Sequence, residues 1–484
     1  MRRSRCRRRS AARTPHSPDG TTTLTEYPHI SRDLIEVEQP QERAVLVGAP
    51  RKRGGDKHAV DDHLRELGEL ADTAGALVVG QLTQQIDRPH PGTYLGSGKI
   101  GELADLARET NASLVIFDDE LSPSQGKNIE DAVGKRVVDR AELILDIFAL
   151  RARTSEAKMQ VELAQLEYML PRLTRMWTHL ERYKAGIGMR GPGETQLETD
   201  RRLINHRIKL LKERLRDVER SREIQRQARQ GAFKASLVGY TNAGKSSILR
   251  ALSASEVHVE DRLFATLDPL TREVVIDDTH VLVTDTVGFI RKLPHHLVAS
   301  FRATLEEVTE ADLLLHVIDA SAEHWQEHKQ VVDQVLFELG ANERPVLLVF
   351  NKADLLDDEQ LHALHELVSD RVTDAVFVSA TAEDGLEPLR RALVSASREG
   401  RPVAEVEMSV ADGRLLAELH RDGEVLAQRT ENDRLILRAR VDDALIGRLR
   451  HGGAEVRVAE RAADKRRPRP ASNGGPPEHD EPQW

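Results

Sequence analysis

The segment that most restricts the fold is Gly239-Tyr240-Thr241-Asn242-Ala243-Gly244-Lys245-Ser246. It fits G-x-x-x-x-G-K-[ST] throughout, follows a strand predicted over 233–239 and opens a predicted helix. Glycines at these positions let backbone N–H groups wrap phosphates, and a helix N-terminus favours negative charge. Lys245 is expected to reach the β- and γ-phosphates and Ser246 to ligate Mg²⁺. Around this loop, residues 232–399 alternate strand and helix, with strands predicted at 233–239, 273–276, 281–285, 313–319, 345–351 and 375–379. That pattern is a doubly wound α/β sheet, with ligands at the carboxyl ends of its strands.

The phosphate loop says nucleotide; a second motif says which. Asn351-Lys352-Ala353-Asp354 follows the run PVLLVF. The carboxylate of Asp354 can accept from N1–H and the N2 amine of guanine, and adenine has no such donor pair. Ser379-Ala380-Thr381, after the last strand, is placed to donate backbone N–H to the guanine oxygen. Asp285-Thr286-Val287-Gly288 ends the strand VLVTD, so Asp285 is expected to hold Mg²⁺ through water and Gly288 N–H to bond the γ-phosphate. Thr266 is the natural switch threonine completing the Mg²⁺ shell. Ser247, Phe264 and Ala265 are added as expected nucleotide neighbours, and Lys245, Thr266 and Gly288 as the groups most directly serving catalysis. Phe289 stands where many GTPases place a water-orienting glutamine, so slow intrinsic turnover and an external activator or bound cation are expected. Asn242 is either a ligand for K⁺ or a turn-former.

The rest of the 484-residue chain holds two to four domains in all. No apolar run approaches the ~20 residues of a membrane span. Cys6 is the single cysteine and no apolar segment follows the N-terminal arginines, so a cytoplasmic chain without membrane insertion is expected, acting as a monomer. Seven arginines fall in the first 13 residues, read as a disordered tail (1–30) or a nucleic-acid-binding arm. Residues 31–152 alternate apolar runs (44–47, 76–79, 114–117) with helical patterns (63–71, 99–109), a small α/β domain. Residues 153–231 carry two helical seams. The first is Met159, Leu163, Leu166, Leu170, Leu173, Trp177 and Leu180, with Pro171 inside it; the second is Leu197, Ile204, Ile208, Leu211, Leu215 and Val218. Between them, AGIGMRGPGE (185–194) is expected to forbid helix, giving an antiparallel hairpin with a flexible loop. Residues 201–230 hold eleven Lys or Arg against four Asp or Glu, either a solvated face or an RNA-facing one; Arg182, Lys184, Arg190, Arg201 and Arg202 are the candidates. A small C-terminal domain (400–460), too short for a large core, precedes a tail (461–484) expected to be disordered.

These residues resemble the HflX family, within the Obg–HflX group of translation GTPases. The segments that carry the likeness are LFATLDPLTR (263–272), TDTVGFIRKLPHHLVASFRATLEE (284–307), FDDELSPSQGKNIE (117–130), DRAELILDIFALRA (139–152), KMQVELAQLEYMLPRL (158–173) and GIGMRGPGETQLETDRR (186–202). The resemblance implies a protein that binds the large ribosomal subunit and splits stalled ribosomes under stress. It implies that the loop 186–194 approaches ribosomal RNA, and that the ribosome activates hydrolysis where Phe289 is apolar. ATP binding by the N-terminal domain has been proposed for the family, but Gly96-Ser-Gly98-Lys99 lacks the upstream glycine and the Ser/Thr of a second phosphate loop. Leu270 stands where the family usually has threonine, and Ala185 replaces a common glycine. An RNA-binding scaffold using GTP as a structural or switch ligand is the alternative. A tRNA-modifying GTPase is a poorer fit, because Cys6 is the only thiol.

Overall fold

The computed structural model describes residues 41–51, 57–173, 192–227, 232–253, 263–277, 279–294, 302–369 and 374–458. Both tails and Trp177, Leu180, Arg182, Lys184 and Arg190 lie outside the described residues. The described residues build three sheets.

The first has four parallel strands, β1 (Arg43–Gly48), β2 (Leu77–Thr83), β3 (Leu114–Phe117) and β4 (Arg136–Asp139), in the order β2-β1-β3-β4. Helices α1 (Lys57–Thr73), α2 (Ser97–Glu109), α3 (Pro123–Val133) and α4 (Arg140–Arg151) connect and cover it. The runs AVLV and LVIF are buried along their length, as strands of a parallel sheet must be when helices cover both faces. α3 starts with a capping box between Ser122 and Gln125, and Asp139 caps α4 by accepting from Glu142 N–H at 3.0 Å.

The hairpin differs from its expected form. α5 (Ser155–Met169) ends in a 3₁₀ turn at Leu170–Arg172, because Pro171 cannot donate to the ladder. Its buried stripe is Ala157, Val161, Ala164 and Tyr168, which packs into the core shared with α4; of the α5 positions of the expected seam only Leu163 is fully buried. Small residues let α5 approach α4 closely, and a small-residue stripe is faint in a hydrophobicity pattern. The second helix, α6 (Pro192–Gln227), begins inside the glycine-rich stretch that was expected to exclude helix. Proline suits a first helical position, where its missing N–H is an orphan in any case. α6 runs back along α5, with Glu156 paired to Arg222 and Glu167 to Lys212, both at 2.7 Å.

The central sheet has the order β10-β9-β8-β5-β7-β6, parallel except for β6. Its strands are β5 (Phe233–Gly239), β6 (Leu270–Ile276), β7 (Thr279–Asp285), β8 (Leu313–Asp319), β9 (Val346–Asn351) and β10 (Ala375–Phe377). Helices α7 (Lys245–Ser253), α8 (Arg302–Thr309), α9 (Trp325–Glu338), α10 (Asp358–Ser369) and α11 (Glu387–Glu399) flank it. One face belongs to a core that also takes in Leu64, Ile144 and Phe148 of the first domain, so the two share apolar packing.

The last sheet is antiparallel, in the order β12-β13-β11-β14, built as a βαββαβ unit from β11 (Val403–Ser409), α12 (Gly413–Asp422), β12 (Glu424–Glu431), β13 (Arg434–Arg440), α13 (Asp443–His451) and β14 (Glu455–Val458). It closes its own core between Val406, Leu437, Leu419 and Leu449. The opposite face carries cross-strand ion pairs, Arg434–Glu407 at 2.8 Å and Arg440–Glu424 at 3.2 Å. Among the described residues no helix is long and apolar enough to cross a membrane.

Candidate nucleotide site

β5 delivers the phosphate loop to the carboxyl edge of the central sheet, between β7 and β8. Gly239 (φ +155) and Gly244 (φ +92) are backbone requirements: a Cβ on the first would strike Val317 O, and on the second Asn351 Nδ2. Asn242 has φ +61 and is exposed at the tip of the loop, a conformation asparagine tolerates. Lys245 folds back to donate to the carbonyls of Gly239 (3.1 Å) and Tyr240 (2.8 Å), and burial pulls its ammonium down to about 8, partly opposed by Asp285. Ser247 follows in the first turn of α7.

Two loops converge on the start of α7. The Ser246 hydroxyl lies 2.7 Å from Thr266 Oγ1 and donates to Asp285 Oδ2 at 2.6 Å. Burial raises the Asp285 carboxyl above its usual range, against the Lys245 charge and hydrogen bonds from Ser246 and Thr266. Its Oδ1 is buried with no hydrogen-bond partner among the described residues. Three hard oxygens and one orphaned carboxylate oxygen beside a phosphate loop make a set that suits Mg²⁺. Gly288 lies against the loop, where a Cβ would be 2.8 Å from Thr241 Cα and 3.2 Å from Lys245 Nζ.

At the base end, Asn351 ties two segments together: its Nδ2 donates to Ala243 O (3.0 Å) and its Oδ1 accepts from Ala380 N–H (3.2 Å). Lys352 (φ +63) pairs with Asp319 at 2.7 Å. Asp354 is exposed and accepts from Thr381 Oγ1 at 3.3 Å; hydrogen bonding from Ser379 leads the effects that hold its carboxyl below the usual range.

Some expected nucleotide neighbours turn elsewhere. Thr286 donates its hydroxyl to Leu237 O at 2.7 Å, and Val287 is buried in the core. Phe264 points its ring at Phe148 (4.8 Å, interplanar 85°) and uses only its N–H toward the loop, donating to Thr241 Oγ1 at 3.0 Å; Ala265 follows it, half-buried. Phe289 is fully buried, and its backbone bridges the phosphate loop through Thr241 N–H (2.7 Å) and Gly239 O (3.1 Å). The Tyr240 side chain leaves the phosphates for the first domain.

Three family models match: GTP-binding GTPase N-terminal over residues 61–149, GTP-binding GTPase Middle Region over 151–229, and 50S ribosome-binding GTPase over 234–352. The GTPase HflX of Flavobacterium psychrophilum is 44% identical over 377 residues, 74% of this chain and 91% of that protein. The GTPase HflX of Magnetococcus marinus is 44% identical over 420 residues, 86% of this chain and 96% of that one. The chain belongs to the HflX family of GTPases. A crystal structure of a GTP-binding protein from Sulfolobus solfataricus in complex with GDP aligns over 74% of this chain and 99% of its own, at 24% identity and a TM-score of 0.41.

As an HflX-family GTPase, the chain binds GTP and hydrolyses it. Sequence reasoning missed how its switch segments meet the N-terminal domain. Glu66 of α1, 8% exposed, takes bonds from Arg140, Arg291 and the Tyr240 hydroxyl. Arg140 also bonds Asp118 (2.6 Å), and Lys292 reaches Asp118 (2.5 Å) and Asp119 (2.7 Å). Tyr240 stacks on His328 at 4.0 Å. Arg291 and Lys292 lie three and four residues past Gly288, so the segment that follows DTVG is wired to the first domain. On the other side, Asp268, two residues past Thr266, accepts from Arg153 and Thr154 at the head of α5. Charged residues on an amphipathic helix read as solvent-facing, and no local signal separated these.

Proposed function

We propose that this GTPase binds Mg²⁺–GTP with the residues above, associates with the large ribosomal subunit, and splits or rescues stalled ribosomes in the cytoplasm, with hydrolysis stimulated by the ribosome. The observation that carries the nucleotide part is the meeting of Ser246, Thr266 and Asp285 within 2.7 Å, one from the phosphate loop and one from each switch segment. Mg²⁺ at that point supplies charge neutralisation of the β- and γ-phosphates. Lys245 contacts the same phosphates, Gly288 N–H the γ-phosphate, and Asp354 with the Ser379–Thr381 backbone reads guanine. Phe289 is turned into the core, and its phenyl ring cannot orient water. That supports an outside activator.

The α6 helix supports RNA contact. Arg207, Lys212 and Arg222 are engaged by acids of α5, whereas Arg201, Arg202, Lys209, Arg214, Arg216 and Arg220 line the exposed side. Among the described residues, Arg202 pairs within its own helix, with Glu198 at 2.9 Å. Such a cationic stripe gains from counterion release on phosphate.

The test is GTP turnover with and without purified large ribosomal subunits. Strong stimulation is expected; unchanged turnover with GTP still bound would favour the RNA-binding scaffold. Lys245→Ala is expected to weaken GTP binding at least about 100-fold, since charge-assisted bonds to the phosphates are lost. Asn242 is proposed as a K⁺ ligand, and equal turnover in K⁺ and Na⁺ would end that idea.

A further inference from the structure

The switch segment around Thr266 is fastened at both ends to one corner of the N-terminal region. Upstream, Phe264 adopts φ +54, is 2% exposed, and packs edge-to-face on Phe148 of α4. Downstream, Asp268 Oδ2 accepts from the N–H groups of Arg153 and Thr154, each at 3.3 Å, and Oδ1 accepts from the Thr154 hydroxyl. Thr154 is the N-cap of α5, its hydroxyl accepting from Ala157 N–H at 3.1 Å. The Asp268 carboxylate therefore sits on the open N–H groups and positive end of that helix, where a negative charge is favoured. Leu267, 2% exposed, fills the core between the two anchors. Thr266, between them, is left 2.7 Å from Ser246.

From this arrangement we infer that Asp268 is a positioning residue for GTP. By docking on the N-terminus of α5 it holds the switch segment in its closed place, so that Thr266 is already set for the metal and γ-phosphate. The inference rests on the reading of Thr266 given above. A ligand that needs the closed segment binds more weakly in proportion to the fraction of chains that lack it. GTP needs it and GDP does not, so Asp268 contributes to the preference for GTP. The coupling is reciprocal: GTP, by holding Thr266, strengthens the attachment of Asp268 to the root of the α5–α6 hairpin. The hairpin root thereby reads which nucleotide is bound.

The experiment uses the full chain and measures three quantities: affinity for a non-hydrolysable GTP analogue, affinity for GDP, and the Mg²⁺ concentration at half-maximal analogue binding. In Asp268→Ala, analogue affinity is expected to fall about three- to thirtyfold, the range typical of a lost helix cap, with a matching rise in the Mg²⁺ requirement. GDP affinity should stay within about twofold. Thr154→Ala should reproduce the split, Thr154→Ser should restore it, and the double variant should be no worse than either single one, because both remove the same contact. Thr266→Ala separates the two layers of the argument. If it keeps the wild-type preference for the GTP analogue, the role given to Thr266 is wrong. If it loses that preference while Asp268→Ala and Thr154→Ala keep it, Asp268 only caps a helix and the inference is overturned. Should Asp268→Ala bind neither nucleotide, the Thr154 variants decide on the same terms.

Discussion

The N-terminal domain grips the two switch segments by different physics. Behind the DTVG loop the grip is dry: Arg140 (3% exposed), Glu66 and Asp118 form a chain of buried charges that reaches out to Arg291 and Lys292. Beside Thr266 it is wet, a single carboxylate on an exposed helix end. Buried charges are costly to separate, so the first junction behaves as a fixed joint. An exposed cap exchanges with water at little cost, so the second can open and close on a nucleotide-dependent schedule. One domain thus holds one loop firmly and the other lightly.

The largest way to break that contrast is to remove the centre of the dry junction. Glu66→Ala leaves Arg140 with Asp118 and the Arg291 carbonyl and takes the carboxylate from both Tyr240 and Arg291. A loss of about 3–5 kcal/mol is expected, measured by urea unfolding, because a charge is left uncompensated in the interior. Asp268→Ala in the same assay should cost about 1 kcal/mol. Equal losses would mean that the two junctions do not differ as described.

The phosphate loop, the DTVG and NKAD segments and the SAT turn could be read from the sequence because each is contiguous and each demands a local backbone form, such as the positive φ at Gly244 and Asn242. Neither junction could. Glu66 meets Arg291 across 225 positions and Asp268 meets Thr154 across 114, and nothing in the pattern of α1 distinguishes Glu66 from a solvated acid. Asn351 was legible only as part of a base-reading motif; that it also latches the phosphate loop through Ala243 depends on where β9 lies beside β8. The hairpin was half legible. Its two helices announced themselves, but the packed face of α5 is set by Ala157 and Ala164, whose small side chains matter for close approach more than for hydrophobicity.

Acid should sharpen the contrast, since His63 and His328 stand against the charges of the dry junction and a third histidine, His316, is buried in the central sheet. His316, fully buried in β8, is held down at about 4 by burial, and desolvation together with the Arg291 charge lowers His63 and His328. The unfolded chain takes up protons near 6.5, before the folded one, so this stability is complete above that pH and is lost as pH falls toward about 4. For His316 the full swing is about 3 kcal/mol, with about 2 kcal/mol gone by pH 5. Unfolding at pH 7.5 and pH 5 should show that loss, and His316→Leu should remove most of it. A wild-type curve that is flat across this range would mean water reaches the His316 imidazole of the central sheet.

The smallest effect tests where the dry junction ends. Lys292 is the outermost member of the chain, half in water, and holds φ +54. Asp118 keeps Arg140 when Lys292 is lost, so Lys292→Ala should cost less than about 1 kcal/mol, as exposed ion pairs do. Lys292→Gly removes the same charge but relieves the left-handed backbone, which alanine does not, so it should be the more stable of the two variants. If both variants instead lose as much as Glu66→Ala, the buried network extends through Lys292 to the surface. The loop after Gly288 would then be clamped along its whole length rather than at its root.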